Sequence, residues 1–501
     1  MDYSTISKEL TNKLSKIDKK NNGIYFTPPS CIYKNLQFLQ PYIFKQGGVE
    51  DERVPNIINV LEPSCGSGEY ITALSLKYPH LKITGIELNK TIYDSIKTLA
   101  SLTPEFSVSA ASETPSSLNS FVFDSRVSRI SSVFDSTSPT KINIINTDFL
   151  KYNSDIKYDL IIGNPPYYVM KKEDVHKKYY SFFEGRPNIF ILFIIKSLEM
   201  LNENGILSFV LPKNFLNCLY YDKTRRFINK YFKILNIIDC SDDKYIETQQ
   251  DTVIFIIQSI SSPLSTPPLL QNSKYVFVRE VESQTEPISE TRKSTKETQE
   301  FVGEVESQTE PISETLKSTK ETKEFTIFIT EKNHEQIKEL YKNSKSLVEL
   351  DFRVSVGNVV WNQCKKILTN DPSKTRLIYA SDVHNNSLII KKYNNEDKKN
   401  YINKPGINRP MIIINRGYGV GEYNFNFCLI DEEKEYLIEN HLICIESKKK
   451  DISREILLES YKNILRSLND ERTKQFIKLY FGNNAINTIE INNILPIYQD
   501  I

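Results

Sequence analysis

The alternation of short apolar, β-rich runs with helical patterns between about residues 20 and 260 most constrains how this chain can fold. The runs are IINVLEP, KITGIEL, INIINTD, YDLIIGNPP, GILSFVLP and TVIFIIQ. Strands that alternate with helices predict an α/β domain built on a mostly parallel sheet. We therefore expect one α/β body over residues 21–265, preceded by a polar segment at residues 1–20.

Two stretches interrupt or follow this pattern. Residues 101–140 are rich in serine and threonine and show little periodicity, which predicts a low-complexity insertion. The sequence VESQTEPISETRKSTKETQEF at 281–301 recurs as VESQTEPISETLKSTKETKEF at 305–325. Two copies are too few for a solenoid, and each copy is too polar to bury a core. We expect residues 279–325 to form a duplicated, partly helical insert, and residues 326–501 to form a mixed α+β domain.

Composition excludes several classes of protein. The net charge of +1 leaves the chain without global basicity, so any nucleic-acid surface must be local. The seven cysteines form no C-x-x-C pair, which predicts neither a zinc site nor a disulfide framework. The most apolar stretch, Ile189 to Leu201, carries Lys196 and Glu199 and is therefore a buried element rather than a membrane span. We expect no metal and a reducing, cytoplasmic location.

The segment VLEPSCGSGEY runs from an apolar strand through Glu62 and Pro63 into a turn with Gly66 and Gly68. Glycines at the carboxyl end of a strand let a ligand approach the backbone closely. The same pattern is typical of a plain turn between a strand and a helix. Glu87 ends the next run about 20 residues later, where an acid can accept hydrogen bonds from ribose hydroxyls. A solvated carboxylate at the strand end is the alternative.

The segment INIINTDFL places Asp148 and Phe149 after the following strand. A carboxylate there can accept a hydrogen bond from an adenine amino group while a ring packs on the face of the base. Aspartate after a strand is also common turn chemistry, so this pattern alone leaves both interpretations open.

The segment YDLIIGNPPYYV carries the most specific signal. A buried strand ends directly in Asn164, Pro165, Pro166 and Tyr167. Tandem prolines fix φ and lack donors, so they make a rigid loop. The Asn164 side-chain oxygen and the Pro165 carbonyl can then accept both hydrogens of one amino group, and Tyr167 offers a stacking face. Two such acceptors turn the nitrogen toward sp3 geometry and expose its lone pair for methyl transfer.

In this order, the segments GIYFTPP, VLEPSCGSG, ITGIELN, NTDF and GNPPY resemble the gamma group of DNA adenine-N6 methyltransferases. The resemblance covers about residues 20–260 and the rest only loosely. It implies a Rossmann-like methyltransferase domain followed by a target-recognition domain, and S-adenosylmethionine as cofactor. It also implies duplex DNA as partner. Whether a separately encoded restriction endonuclease is a further partner stays open, and we expect a monomeric enzyme.

The resemblance assigns roles to residues by matching position. Thr27 and Pro28 line the cofactor pocket. The methionine end of the cofactor is held by Glu62, Pro63, Gly66 and Gly68, the ribose by Glu87, and the cofactor adenine by Asp148 with Phe149. The flipped target adenine is held and activated by Asn164, Pro165, Pro166 and Tyr167. Tyr245 is the nearest candidate for a second aromatic that stacks on the target base.

A flipped base requires a second body that grips the DNA and chooses the site. The most DNA-like segment of the carboxy-terminal third is Lys391 to Arg416, with seven Lys or Arg residues against two acids and with interleaved asparagines and aromatics. Such side chains read base edges or bind phosphates, although a solvated charged loop has the same composition. The candidate DNA contacts are Lys398, Lys404, Arg409 and Arg416.

Two other functions compete. The N-P-P-Y sequence suits any planar NH2 acceptor, so a methyltransferase acting on RNA adenine or on a protein glutamine remains open. A non-catalytic DNA-binding protein on a methyltransferase fold is the other alternative, and the intact Asn164 to Tyr167 run argues against it. Binding of labelled cofactor would separate an active from an inactive protein.

Overall fold

The computed structural model describes residues 2–46, 53–98, 141–248, 250–260, 272–284, 320–393, 397–416, 425–481 and 486–501. The predicted insertion at 101–140 and residues 285–319 of the repeat lie outside the described residues. The described helices are α1 Thr5–Lys13, α2 Lys16–Asn22, α3 Pro29–Ile43, α4 Glu69–Lys77, α5 Lys90–Ile96, α6 Ile189–Met200, α7 Asp222–Tyr231, α8 Glu331–Leu340, α9 Arg454–Asn469, α10 Glu471–Phe476 and α11 Thr488–Asn493.

A seven-stranded sheet forms the centre of the amino-terminal half. After the short pair β1 Phe44–Gln46 and β2 Arg53–Pro55, the sheet strands are β3 Asn59–Glu62, β4 Lys82–Glu87, β5 Lys141–Asn146, β6 Tyr158–Gly163, β7 Leu201–Pro212, β8 Phe232–Asp239 and β9 Thr252–Ser259. Their order is β5-β4-β3-β6-β7-β9-β8, and only β9 runs antiparallel to its neighbours. The predicted α/β fold with a mostly parallel sheet is confirmed.

The strand order reverses at β3, which pairs with β4 on one side and with β6 on the other. A crevice opens outside the carboxyl ends of the strands at such a reversal, and open α/β sheets bind ligands there. β6 is buried over nearly its whole length, as expected for a central parallel strand with both faces covered. The carboxyl ends of β3, β4 and β6, which carry the predicted motifs, therefore meet at one edge.

The first two helices pack against this edge. Leu10 is 2% exposed, and the hydroxyl of Ser7 lies 2.8 Å from the Ser67 hydroxyl in the glycine turn. Lys19 is buried, donates to the Thr11 carbonyl and forms a 2.7 Å ion pair with Glu247. Residues 2–20, which belong to the polar segment that the sequence sets apart, thus cover this edge of the seven-stranded sheet.

The described ends of the repeat form strands rather than helices. β10 Val276–Gln284 and β11 Lys320–Phe328 pair antiparallel from Val276 opposite Phe328 to Gln284 opposite Lys320. Val281 is 1% exposed, and Phe325 packs on the core of the carboxy-terminal half. The expected partly helical insert is therefore corrected at its ends, where Val281 and Phe325 anchor the two strands to the core.

The carboxy-terminal half contains two four-stranded sheets flanked by α8 to α11. Its strands are β12 Ser344–Lys345, β13 Phe352–Val356, β14 Leu368–Thr369, β15 Thr375–Ile378, β16 Val383–His384, β17 Ser387–Leu388, β18 Tyr401–Ile402, β19 Met411–Asn415, β20 Phe427–Ile430, β21 Tyr436–Ile438, β22 Leu442–Ser447 and β23 Ile497–Tyr498. One sheet has the order β13-β22-β19-β20 and the other β14-β18-β15-β21. This mixture of helices and largely antiparallel sheets matches the predicted α+β character.

Buried polar contacts join the two halves. Arg225 is fully buried, and its guanidinium donates to the carbonyls of Thr326 (2.5 Å), Phe215 (2.9 Å) and Cys218 (2.8 Å). Glu490 accepts from the Leu219 amide at 3.2 Å, and burial raises the pKa of this carboxyl group. Because buried backbone groups need partners, these contacts fix the loop after β7 to the carboxy-terminal half.

No described helix has the length and apolar character needed to cross a membrane. The predicted buried element at Ile189 to Leu201 is helix α6, most of whose residues lie in the core beneath the catalytic sheet. The seven cysteines, all within the described residues, carry no disulfide.

Candidate active site

Three predicted motifs converge where the strand order reverses. The glycine turn follows β3, and its Ser64 hydroxyl donates to the Asn164 carbonyl at 3.1 Å. Asn164 follows β6, and its side-chain amide donates to the Tyr25 carbonyl at 3.2 Å. Tyr25 belongs to the GIYFTPP segment, which leads into α3 through Thr27 and Pro28. Hydrogen bonds thus connect the three segments that the sequence predicts to act together.

Gly23 allows the GIYFTPP segment to approach the catalytic loop. Its φ of +62° lies in the left-handed region, and it ends α2. A Cβ atom added at Gly23 would lie 2.6 Å from the Tyr167 backbone nitrogen, a distance that real contacts do not tolerate. Glycine is therefore required there on both conformational and steric grounds.

The glycine turn and the Glu87 carboxylate together form a cradle at the ends of β3 and β4. Gly66 and Gly68 have φ values of +50° and +75°, and the Gly66 amide donates to Glu87 Oε2 at 2.9 Å. Glu87 Oε1 accepts from the Asn89 amide at 2.7 Å. Each carboxylate oxygen keeps a further lone pair, so Glu87 can still accept from hydroxyl groups. Burial raises the pKa of Glu87 to about 7, against the opposing effect of these amide donors.

Glu62 lies beside this cradle as a buried acid that lacks a full set of partners. It is 3% exposed, and its Oε2 atom accepts no hydrogen bond from the described residues. Burial, and secondarily the charge of Glu87, raise the pKa of Glu62 well above its usual range. A buried carboxylate oxygen without a donor is costly unless a ligand supplies one. The pair of acids at a glycine turn therefore fits a ligand with an ammonium group and a ribose, as S-adenosylmethionine has.

The Asn164 amide oxygen is not free in the described structure, in contrast to the sequence prediction. The Tyr167 hydroxyl lies 2.6 Å from Asn164 Oδ1 and 2.7 Å from the Val210 carbonyl. A hydroxyl has one hydrogen and can donate to only one acceptor at a time. When that hydrogen points to Val210, Asn164 Oδ1 becomes available to an incoming amino group.

The remaining members of the catalytic loop hold its shape. Pro165 is buried and Pro166 is half-buried. The Tyr167 ring contacts Phe190 edge-on at 6.0 Å, and burial together with the nearby Tyr245 raises its pKa well above the usual range. Tyr245 donates to the Thr252 hydroxyl at 3.4 Å. Tyr245, the candidate for a second aromatic, thus lies near Tyr167.

Asp148 and Phe149 occupy different environments. Asp148 is half-buried and accepts from the Leu150 amide at 2.9 Å, the turn chemistry that the sequence left open. The Phe149 ring is 2% exposed and lies 4.9 Å from the Phe193 ring, with Lys196 at 5.2 Å. The ring is a core residue with little surface left for a ligand. Leu88, directly after Glu87, is 62% exposed and offers an apolar surface that the sequence analysis missed.

The four candidate DNA contacts also differ from one another. The Lys398 ammonium lies within 5.4 Å of three aromatic rings, and the Arg409 guanidinium donates to the Lys449 carbonyl. Lys404 is exposed, and Arg416 is half-exposed just after β19. Composition could not predict which cations the domain uses internally, because the partners come from distant parts of the chain.

Comparisons with known proteins agree with this geometry. A family model described as Eco57I restriction-modification methylase matches residues 82–246. The type II methyltransferase M.CvrRI of Paramecium bursaria Chlorella virus XZ-6E is 23% identical over 98% of this chain and 98% of its own length. The modification methylase CviBIII of Paramecium bursaria Chlorella virus NC1A is 27% identical, covering 45% of this chain and 47% of that protein.

Two further comparisons cover smaller parts of the molecule. The type II methyltransferase M.BstVI of Geobacillus stearothermophilus is 35% identical over 19% of each chain. Among solved structures, the methyltransferase subunit of a type I restriction-modification system from Streptococcus thermophilus superposes with a TM-score of 0.33 and 15% identity. That superposition covers 48% of this chain and 46% of that one.

The sheet order and the two buried acids at its switch point are those of a Rossmann-like domain that binds S-adenosylmethionine. Over its whole length the chain is similar to a type II methyltransferase, and over residues 82–246 it matches a family model of restriction-modification methylases. The family resemblance and the cofactor predicted from the sequence are thereby confirmed.

Proposed function

We propose that this protein is a site-specific DNA methyltransferase that transfers a methyl group from S-adenosylmethionine to the N6 amino group of a flipped adenine. The observation that carries the proposal is the position of Asn164 and Pro165 at the end of β6, beside the glycine turn and the two buried acids. The family match and the type II methyltransferase relatives support DNA as the substrate class.

Asn164 and Pro165 would activate the target amine. With the Tyr167 hydroxyl turned to Val210, the Asn164 side-chain oxygen and the Pro165 carbonyl can accept the two hydrogens of an NH2 group. Those bonds strengthen as positive charge develops on the nitrogen, so they stabilise the transition state more than the ground state. The bound cofactor supplies an electrophilic methyl group. The rigid prolines keep both acceptors in position.

Glu62 and Glu87 would hold the cofactor against this loop. Glu62 Oε2 can accept from an ammonium group, and Glu87 can accept from ribose hydroxyls while the Gly66 amide keeps it oriented. Leu88 provides the exposed apolar surface next to the ribose site. Asp148 remains the proposed acceptor for the adenine amino group of the cofactor, whereas the Phe149 ring supports the pocket from the core.

The carboxy-terminal half would choose the DNA site. A pocket that admits one flipped base cannot read the neighbouring base pairs. Of the four candidate contacts, Lys404 has an exposed side chain and Arg416 lies half-exposed just after β19. We further propose that the enzyme works as a monomer in a reducing cytoplasm, as the modification partner of a separate restriction endonuclease.

The test measures which class of acceptor takes the label. The full-length protein is incubated with methyl-labelled cofactor and, separately, with duplex DNA, the matching RNA and a denatured protein mixture. We expect label in duplex DNA alone, and none with Asn164→Ala. Label confined to RNA or to glutamine side chains would contradict the proposal and favour the alternative acceptors.

A further inference from the structure

Three aromatic rings of the carboxy-terminal half surround one lysine. The Lys398 ammonium lies 4.7 Å from the ring centroid of Tyr379, 5.1 Å from that of Trp361 and 5.4 Å from that of Tyr393. A cation within about 6 Å of an aromatic face is attracted by the ring quadrupole, and several rings act together. The group formed by Trp361, Tyr379 and Tyr393, here called the aromatic cage, is a cation site occupied by the chain itself.

Hydrogen bonds fix the walls of the aromatic cage. Tyr379 is fully buried, and its hydroxyl donates to the Lys399 carbonyl at 2.8 Å. The Tyr393 hydroxyl donates to Asp382 Oδ1 at 3.0 Å. Asp382 is also fully buried and accepts from the backbone amides of Tyr379 (3.0 Å) and Lys391 (3.1 Å). Two of the three rings are therefore held in place independently of Lys398.

Further hydrogen bonds connect parts of the basic segment, Lys391 to Arg416, with one another. The Asn400 side chain donates to the Lys391 carbonyl at 2.6 Å and accepts from the Tyr393 amide at 3.1 Å. The Asn400 carbonyl accepts from the Leu377 amide at 3.0 Å, which ties the segment to β15. Lys398 lies between these anchored ends. Its ammonium therefore connects the segment to the Trp361 and Tyr379 rings, which lie outside it.

We propose that the aromatic cage binds the Lys398 ammonium as a positioning device for the DNA-recognition surface, so that Lys398 shapes that surface without contacting a phosphate. This role rests on the proposed function, because it concerns the segment that would meet DNA. Lys404 lies six residues away in the same segment and is exposed, so it serves as the matched phosphate candidate. The two lysines should respond differently to every measurement below.

The first measurement needs neither DNA nor a variant. The full-length protein is treated with a limiting amine-acylating reagent, and modification of each lysine is followed by peptide mass spectrometry. We expect Lys398 to react at least about fivefold more slowly than Lys404, because three rings lie within 5.4 Å of its amine, whereas Lys404 is exposed. Equal rates would overturn the cage, whatever the enzyme's substrate.

Trp361 supplies an independent probe because it is the only tryptophan in the chain. Lys398→Met removes the cation and keeps the stem, so the emission of Trp361 should change, whereas Lys404→Met should leave it unchanged. Lys398→Arg retains a cation and should return the emission toward that of the wild type. Identical spectra for all four proteins would contradict the proposed contact.

DNA binding at several salt concentrations then tests the positioning role. Lys398→Met should weaken discrimination between DNA sequences without changing the slope of log affinity against log salt, and Lys398→Arg should restore it. Lys404→Met should lower that slope by about one, as expected on loss of a phosphate contact. A slope reduced by about one in Lys398→Met would overturn the positioning role. If the wild-type protein bound no DNA while Lys398 remained protected from acylation, the proposed function would fail and the cage would stand.

Discussion

The catalytic sheet and the carboxy-terminal half hold their candidate residues in different ways. At the sheet edge, Glu87 and Asn164 follow directly after strands, and backbone groups from neighbouring segments orient both side chains. In the carboxy-terminal half, two of the four candidate cations are engaged internally, Lys398 by rings and Arg409 by a carbonyl. Position at the end of a strand therefore predicts which side chains the fold brings together, whereas local charge does not predict which cations the fold engages internally.

The largest effect is expected at the catalytic loop. Asn164→Ala should reduce the methyl-transfer rate by at least about 10²–10³-fold, because one of two acceptors aimed at the amine is lost. Cofactor affinity should change little, since Asn164 is not part of the cradle around Glu62 and Glu87. Single-turnover kinetics and calorimetry measure the two quantities. The control is Asn56→Ala, which changes an exposed residue away from the site. Near-normal turnover in Asn164→Ala would show that Asn164 takes no part in the mechanism.

The next prediction concerns the contact between the halves. Arg225→Met should lower the free energy of unfolding by about 3–5 kcal/mol, because several buried carbonyls lose their donor and the buried Asp222 loses one of its two cationic partners. Arg226 forms a 2.8 Å ion pair with the same Asp222 but is 52% exposed. Arg226→Met should therefore change stability by only about 0.5 kcal/mol. Urea unfolding of the two variants compares these values, and equal effects would show that the buried contacts do not couple the halves.

Cofactor binding should depend on Glu87 and on pH. Glu87→Gln should weaken affinity by about 10–150-fold, since hydrogen bonds to a charged acceptor contribute about 1.5–3 kcal/mol. The pKa of Glu87 is about 7 in the cofactor-free protein, and the charged form accepts more strongly. Affinity of the wild type should therefore increase as pH rises from 6 to 8, with release of a proton. Calorimetry should find a weaker pH dependence in Glu87→Gln, and an unchanged profile would assign the titration to another group.

The smallest effect is expected at the repeat. Gln284 pairs with Lys320 across the β10–β11 ladder, so a two-residue turn can replace residues 285–319. This shortened protein should keep wild-type stability and activity. Removing residues 281–325 also deletes the buried Val281 and most of the ladder, and should cost stability. Thermal unfolding and methylation assays distinguish the two deletions, and equal behaviour would mean that the ladder contributes nothing to the fold.

Much of the catalytic half could be predicted because its motifs follow the topology. Strand ends, glycine turns and the run from Asn164 to Tyr167 are local in sequence and meet wherever parallel strands meet. The occupation of Asn164 Oδ1 by Tyr167, with Val210 as the competing acceptor, could not be predicted. It depends on a backbone carbonyl in β7 that carries no sequence signal.

The carboxy-terminal half was less predictable for a related reason. The partners of Lys398 come from three separate segments, and no periodicity marks Trp361, Tyr379 and Tyr393 as neighbours. Likewise, polarity alone marked the repeat as an insert, although its first and last residues continue a strand pair that begins outside it, at Val276 and Phe328. Long-range packing overrides composition in both cases.

The measurement that tests the central claim most directly is the identity of the methylated nucleoside. Random-sequence duplex DNA is methylated by the full-length protein with deuterium-labelled cofactor, digested to nucleosides and analysed by mass spectrometry, while a parallel sample is sequenced for modified positions. The account predicts labelled N6-methyl-2′-deoxyadenosine that is confined to one short sequence context and is absent with Asn164→Ala. Label in N4-methylcytosine, or no labelled deoxynucleoside at all, would contradict it.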